Sequence, residues 1–292
     1  MGTMSRRTLL LAATAVGLAG CAKPPVNITR PTASPTGAIA EQLTQIMKVY
    51  VQNTDKLGIY VRDLRSGKDW GFASDYSSQS ASMAKVMISA LALRKARADG
   101  HPLEFDRMTD VSKALVDSDN DSADRLWRYV GGNVADTSAT TLGHAADAYQ
   151  RLANELQMTS THRDPNRPDW SWTWTTPRDQ VTLLDRLLHG TPALTDEDRL
   201  YELDVMRKTN PAQIWGVGTK RSDDVAVQMK NGWVEFKSSD GLWAVNSMGH
   251  VQGEDRDYLA TMMCRVPTFE IGKALLDDIG GDLFRVLGSG RL

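Results

Sequence analysis

Serine and lysine three residues apart form the first pairing in this chain that could do chemistry. Ser82-Met83-Ala84-Lys85 opens a stretch, 81–98, that is rich in Ala, Leu, Met and Lys and free of Gly and Pro, which predicts a helix. Residues three apart share a helix face, so the Ser82 hydroxyl and the Lys85 amine can meet. A serine hydroxyl is a poor nucleophile until a neighbour removes its proton. An amine buried among other cations can have its own affinity for protons lowered enough to do that. Two more short groups stand further along: Ser118-Asp119-Asn120 between two helical stretches, and Lys230-Asn231-Gly232 at the end of a late strand. Lys230 would supply a second cation and attract a substrate carboxylate. The backbone N–H of Ser82, at a helix N-terminus, would point outward and help stabilise an oxyanion. Taken singly, each group reads equally well as a helix cap or a solvated surface patch. The chemistry requires that all three converge.

The elements that must bring them together follow a clear order. Ile39, Leu43, Ile46, Met47 and Tyr50 recur at helical spacing. Two strands follow, about 57–63 and 69–73, joined at a hairpin-like turn, Arg65-Ser66-Gly67-Lys68. The middle of the chain is helical, at 109–117, 121–130, 144–157, 177–189 and 196–207. Strand signals return at 225–230, 242–251 and 257–266, and a last helix covers about 268–287. Strands at both ends and helices between them predict an α+β fold. It would hold a five-stranded antiparallel sheet with flanking helices and an inserted all-helical lobe, about 81–214, with a cleft between the two parts.

The order and separation of the three groups, on a helix start, an inter-helix loop and a strand, resemble the class A β-lactamases and the D-alanyl-D-alanine peptidases, the penicillin-recognising serine hydrolases. The resemblance covers residues 38–290. It implies an acyl-enzyme formed at Ser82 with a β-lactam or a cell-wall peptide, with Ser82, Lys85, Ser118 and Lys230 as the catalytic set. Ser118 would relay a proton to the leaving nitrogen, and Asn120 would hold Lys85 and substrate in register. Asn231, Gly232 and Trp233 would bind substrate, the backbone N–H of Trp233 being the second oxyanion donor. No cofactor is expected.

Two departures from that family stand out. Its usual Lys-Thr-Gly is Lys230-Asn231-Gly232 here, so an amide replaces the hydroxyl that meets a substrate carboxylate. Trp233, next in line, would either narrow the pocket mouth or stack on a ligand. The second departure concerns release of the acyl group. The family's Arg-x-Glu-Pro-x-Leu-Asn loop corresponds to His162-Arg163-Asp164-Pro165-Asn166 here, shortly before Thr175-Thr176-Pro177. Asp164 is either a shortened stand-in for the water-activating glutamate or a loop-folding residue paired with Arg163 or Arg178. Trp170-Ser171-Trp172-Thr173-Trp174 fills the rest of the loop, and its alternation predicts an extended segment with one aromatic face. The competing reading is a non-catalytic envelope binder on the same scaffold.

The beginning of the chain bears on location. Arg6 and Arg7 precede a short apolar run, 9–18, then Leu18-Ala19-Gly20-Cys21. About 10 to 12 apolar residues are too few to span a membrane, so residues 1–20 read as an export signal. Leu-Ala-Gly-Cys resembles the lipobox of bacterial lipoproteins, which implies lipidation at Cys21 and attachment to the outer face of the cell membrane. Ser5-Arg6-Arg7-Thr8-Leu9-Leu10 leaves twin-arginine and ordinary export both open. Residues 21–37, with four prolines, predict a flexible tether. Loss of Arg6 and Arg7 takes the formal charge from −2 to −4, which leaves no basic field for nucleic acid. With Cys21 lipidated, Cys264 stands alone in an apolar run and reads as a small buried hydrophobe. The five histidines show no metal-ligand spacing, and no metal site is expected.

Overall fold

Alternation along the strands builds two cores. In β1 (Leu57–Asp63), Leu57, Ile59 and Val61 join one apolar cluster and Tyr60 another, because residues two apart on a strand share a face. The computed structural model describes residues 26–236 and 240–292. β1 pairs with β2 (Lys68–Phe72), and the short β3 (Ser78–Gln79) and β4 (Trp174–Thr175) pair with each other. Three late strands, β5 (Ala226–Glu235), β6 (Trp243–Gly253) and β7 (Arg256–Val266), complete a five-stranded antiparallel sheet in the order β2-β1-β7-β6-β5. One face is covered by α1 (Ile39–Tyr50) and α8 (Phe269–Ser289). The other meets the helical part: α2 (Ala84–Ala98), α3 (Phe105–Val116), α4 (Asn120–Val130), α5 (Ala139–Glu155), α6 (Pro177–His189) and α7 (Asp196–Arg207).

This is the α+β architecture expected from the order of strand and helix signals. The β1, α6 and α7 boundaries fall where the sequence places them. Their signals are local: Thr176 and Thr195 cap α6 and α7 through their side chains, and Pro177 occupies the first turn of α6. Helix α2 is buried on nearly every side, Lys85 included, as befits the central helix of a lobe. Cys264 is buried, and that burial raises its thiol to about 12, so it packs as a hydrophobe.

Three expectations meet a different structure. Strand β5 does not stop at Lys230 but runs on to Glu235, so the Lys-Asn-Gly group lies within an edge strand. The tryptophan segment is not one extended face. Trp170–Trp172 forms a 3-10 turn capped by Asp169, and extended structure begins only at Trp174. Residues 26–37 are docked rather than free. Ile28 is buried in the α8-side core, Arg30 pairs with Asp278 at 2.7 Å, and Thr36 exchanges hydrogen bonds with Gln45. The export signal at 1–20, Cys21 and the start of the tether lie outside the described residues.

Candidate active site

Ser82 lies in a 3-10 turn, Ala81–Met83, that feeds directly into α2. Ala81 adopts φ 48°, a left-handed conformation that non-glycine residues seldom hold. The segment before it is clamped from two directions. Ser80 N–H donates to Thr173 O at 2.8 Å, which extends the β3–β4 pairing. Asn246 Nδ2, on β6, donates to Gln79 O at 2.9 Å and to Ser80 O at 3.3 Å. Ser82 is therefore presented by a turn whose backbone is held by the sheet on one side and by the tryptophan segment on the other.

Lys85, the second residue of α2, reaches the second motif. Its Nζ donates to Ser118 O at 2.5 Å, to Asn120 Oδ1 at 2.7 Å and to Ser118 Oγ at 3.3 Å. Ser118 itself has φ 60°. The Asp119 side chain caps α4 by accepting Ser122 N–H at 2.8 Å, so the helix start fixes the strained residue that precedes it. From the strand side, Lys230 Nζ donates to Ser118 Oγ at 2.9 Å and to Asn231 O at 2.9 Å. Both lysines thus converge on one hydroxyl. Burial pushes the Lys85 ammonium down to about 8, with Asp119 and Asp124 opposing the shift. Lys230 lies well below the ordinary lysine range because it is buried, and then because it faces Lys85.

The cleft at this point has a volume of about 400 Å³ and is lined by Ser82, Ser118, Asn120, Asp124, Trp170 and Trp233 among others. Gly232 packs β5 against the Ser82 turn: a Cβ there would stand 2.8 Å from the backbone nitrogens of Ser82 and Met83. Trp233 follows on the strand and lines the cleft, yet its ring packs against Trp215 and Phe269, with centroids 6.0 and 5.2 Å away. Its indole is thus anchored in an aromatic cluster of the α8-side core.

Two candidates are placed elsewhere. Asn231 is buried, and its amide donates to Gln213 O at 2.7 Å. It ties strand to loop instead of presenting that N–H to a substrate carboxylate. Asp164 does not line the cleft. Its carboxylate accepts the N–H of Asn166 at 2.8 Å and closes its own turn, because two residues of a tight loop offer a nearer donor than any cleft group. Arg163 and Arg178 pair with Asp147 and Asp75 respectively.

The structure adds residues that the motifs do not contain. Asp124 stands one helical turn beyond Asn120 on α4, a spacing that puts both on one face, and it accepts Trp170 Nε1 at 2.7 Å. Burial raises the Asp124 carboxyl above its ordinary value. The Trp170 ring lies over Lys85 Nζ, 5.0 Å from centroid to nitrogen. Gln213 links the residue before the second motif to the third: its side chain donates to Asp117 O at 2.6 Å, and its own carbonyl accepts the Asn231 amide. Only the helical spacing from Asn120 could have signalled Asp124. The alternating tryptophans single out the segment that holds Trp170, though not its partners, and Gln213 carries no local signal, since its role depends on long-range packing. Among the described residues, no group of three or more His, Cys, Asp and Glu side chains could hold a metal ion.

A family model described as the beta-lactamase enzyme family matches residues 38–110 and 109–287. Solved structures agree on the fold. A representative class A beta-lactamase from Bacteroides cellulosilyticus superposes with a TM-score of 0.67 at 15% identity, covering 87% of this chain and 100% of that one. A class A beta-lactamase from Mycobacterium abscessus gives 0.68 at 18% identity, covering 86% and 100%. A beta lactamase from Burkholderia vietnamiensis gives 0.65 at 18% identity, covering 86% and 96%. No curated protein matches the chain.

Proposed function

The chain belongs to the beta-lactamase enzyme family, and from that premise we propose that it is a serine hydrolase that forms an acyl-enzyme at Ser82 with a β-lactam or a cell-wall peptide. The observation that carries this reading is the convergence of Lys85 and Lys230 on the Ser118 hydroxyl in the cleft lined by Ser82. Neutral Lys85 takes the Ser82 proton as Oγ attacks the carbonyl carbon, which a lysine near 8 can do close to neutral pH. The backbone N–H groups of Ser82 and Trp233 receive the developing oxyanion. Collapse breaks the C–N bond. Ser118 hands its proton to the leaving nitrogen and regains one from the lysine pair, with Lys230 holding the hydroxyl in line.

The lipobox-like Leu18-Ala19-Gly20-Cys21 supports a companion reading, in which the protein is exported and held at the outer face of the cell membrane by lipid on Cys21. One observation favours the non-catalytic alternative. Lys85 spends its hydrogen bonds on Ser118 and Asn120, and none is made to the Ser82 hydroxyl. Intact-mass spectrometry with a penicillin separates the two. Folded protein is expected to gain one penicillin mass, and Ser82→Ala to gain none. No adduct after hours at saturation would leave the binder as the surviving reading.

A further inference from the structure

Lys85 must be neutral to act as a base, and its surroundings pull its proton in both directions. Burial favours the neutral amine, and Lys230 brings a like charge to the same Ser118 hydroxyl. Two carboxylates of α4, Asp119 and Asp124, favour the ammonium. The Asp119 carboxylate is committed to the helix cap, where it accepts Ser122 N–H. Asp124 lines the cleft and accepts the Trp170 indole N–H at 2.7 Å, and the face of that same ring lies over Lys85 Nζ, 5.0 Å from centroid to nitrogen. An indole offers a negative face to a cation, and donating its N–H to a carboxylate pushes more electron density onto that face. Helix α4 therefore holds Lys85 at two points. Asn120 Oδ1 accepts from it directly at 2.7 Å, and Asp124 acts through the ring.

We propose that Asp124 is a positioning residue for Lys85, acting through the Trp170 indole that meets both: the carboxylate polarises the ring, and the ring face steadies the ammonium, so that Lys85 keeps enough affinity for a proton to take the one on Ser82. The proposal deepens the acyl-enzyme reading above, in which Lys85 is the base. The ring is mounted for this task. Trp170 is buried, and its carbonyl accepts Thr173 Oγ1 at 2.9 Å. Trp127 Nε1 donates to Pro168 O at 2.9 Å, which fixes the chain two residues earlier. Asp169, the other carboxylate of the cleft, caps the same turn by accepting Ser171 N–H at 2.7 Å. A ring free to turn would offer its positive edge to the ammonium as readily as its face. The outcome is a balance. A base works best when its proton affinity lies near the operating pH. Burial alone would carry Lys85 past that point, and the two α4 carboxylates oppose it.

The test reads Lys85 directly, by NMR of the full chain with its lysines isotope-labelled at Cε and the Lys85 signal assigned by its loss in Lys85→Arg. Wild type should titrate at about 8. Asp124→Asn keeps an acceptor for the indole N–H and removes only the charge, so its midpoint should fall by at least about half a pH unit. Trp170→Phe keeps a ring but loses the N–H that links it to Asp124. Its midpoint should fall too, and the double variant should fall by less than the sum of the two. Wild type offers a second readout that needs no variant to fold. The Trp170 indole N–H signal should move with the Lys85 midpoint, while that of Trp127, bonded to Pro168 O, should not. Equal midpoints in wild type and Asp124→Asn overturn the proposal, as does a Trp170 N–H signal that stays flat while Lys85 titrates. A fall in Asp124→Asn with none in Trp170→Phe overturns the part played by the ring. Penicillin labelling of the same samples judges the acyl-enzyme reading separately: loss of that reading for want of an adduct leaves the Lys85 titration to decide this one.

Discussion

A Cβ placed on Gly232 would stand 2.8 Å from the backbone nitrogen of Ser82. That closeness sets the width of the site. Strand β5 and the Ser82 turn come from opposite ends of the domain part of the chain, and the absent side chain lets their backbones approach within contact distance. Lys230, two residues earlier on the same strand face, then lies within reach of Ser118. The glycine of the third motif is thus a spacer for the first.

Gly232→Ala should push β5 away from Ser82, since the atoms it would strike are backbone and have no rotamer to change. The expected cost is about 1–3 kcal/mol of stability, together with a loss of adduct formation at Ser82 much larger than the loss of fold. Urea denaturation and the rate of penicillin labelling measure the two effects separately. A variant that labels at the wild-type rate would mean that the spacing is not needed.

Much of the fold was legible because its signals are local. Strand-forming stretches marked β1, β6 and β7, and helical stretches marked α6 and α7, whose starts threonine side chains cap. The motif residues Ser82, Lys85, Ser118, Asn120 and Lys230 were legible by type and order; the last four meet as a hydrogen-bonded cluster beside the cleft that Ser82 lines. What was not legible depends on tertiary contacts. Alternating tryptophans suggested a strand, but burial of Trp170, packing of Trp172 on Phe236 and stacking of Trp174 with His162 send three rings to three places. Asn231 reads as a substrate ligand until the carbonyl of Gln213, eighteen residues away, is found to take its amide. Proline content suggested a tether, while Ile28 is buried in the apolar cluster that α1 and α8 form on the sheet.

The lowered Lys85 predicts how acylation depends on pH. Only the neutral amine can accept the Ser82 proton, and its share rises with pH until it saturates above about 8. The labelling rate should therefore fall by about tenfold per pH unit below that point and level off above it. Lys85→Arg, charged at every usable pH, should label at least about a hundredfold more slowly. A labelling rate that is flat from acid to mildly alkaline pH would exclude Lys85 as the base.

Glu202 on α7 makes the last prediction, and it concerns stability alone. Its side chain is fully buried, and neither carboxylate oxygen has a hydrogen-bond partner among the described residues. Burial raises its carboxyl well above the ordinary value of about 4.5, and Asp198, one helical turn earlier, adds to the shift. The sign follows from linkage. Below the unfolded value the group is protonated in both states and costs nothing electrostatically. As pH climbs past it the unfolded chain ionises while the folded one holds its proton, and stability falls by about 1.4 kcal/mol per unit until the folded value is reached. Glu202→Met removes that term and keeps the volume. Its gain over wild type in urea denaturation should be small at about pH 5 and larger at about pH 8. The same difference at both pH values would show that Glu202 is ionised in the folded protein, with a partner drawn in to hold the charge.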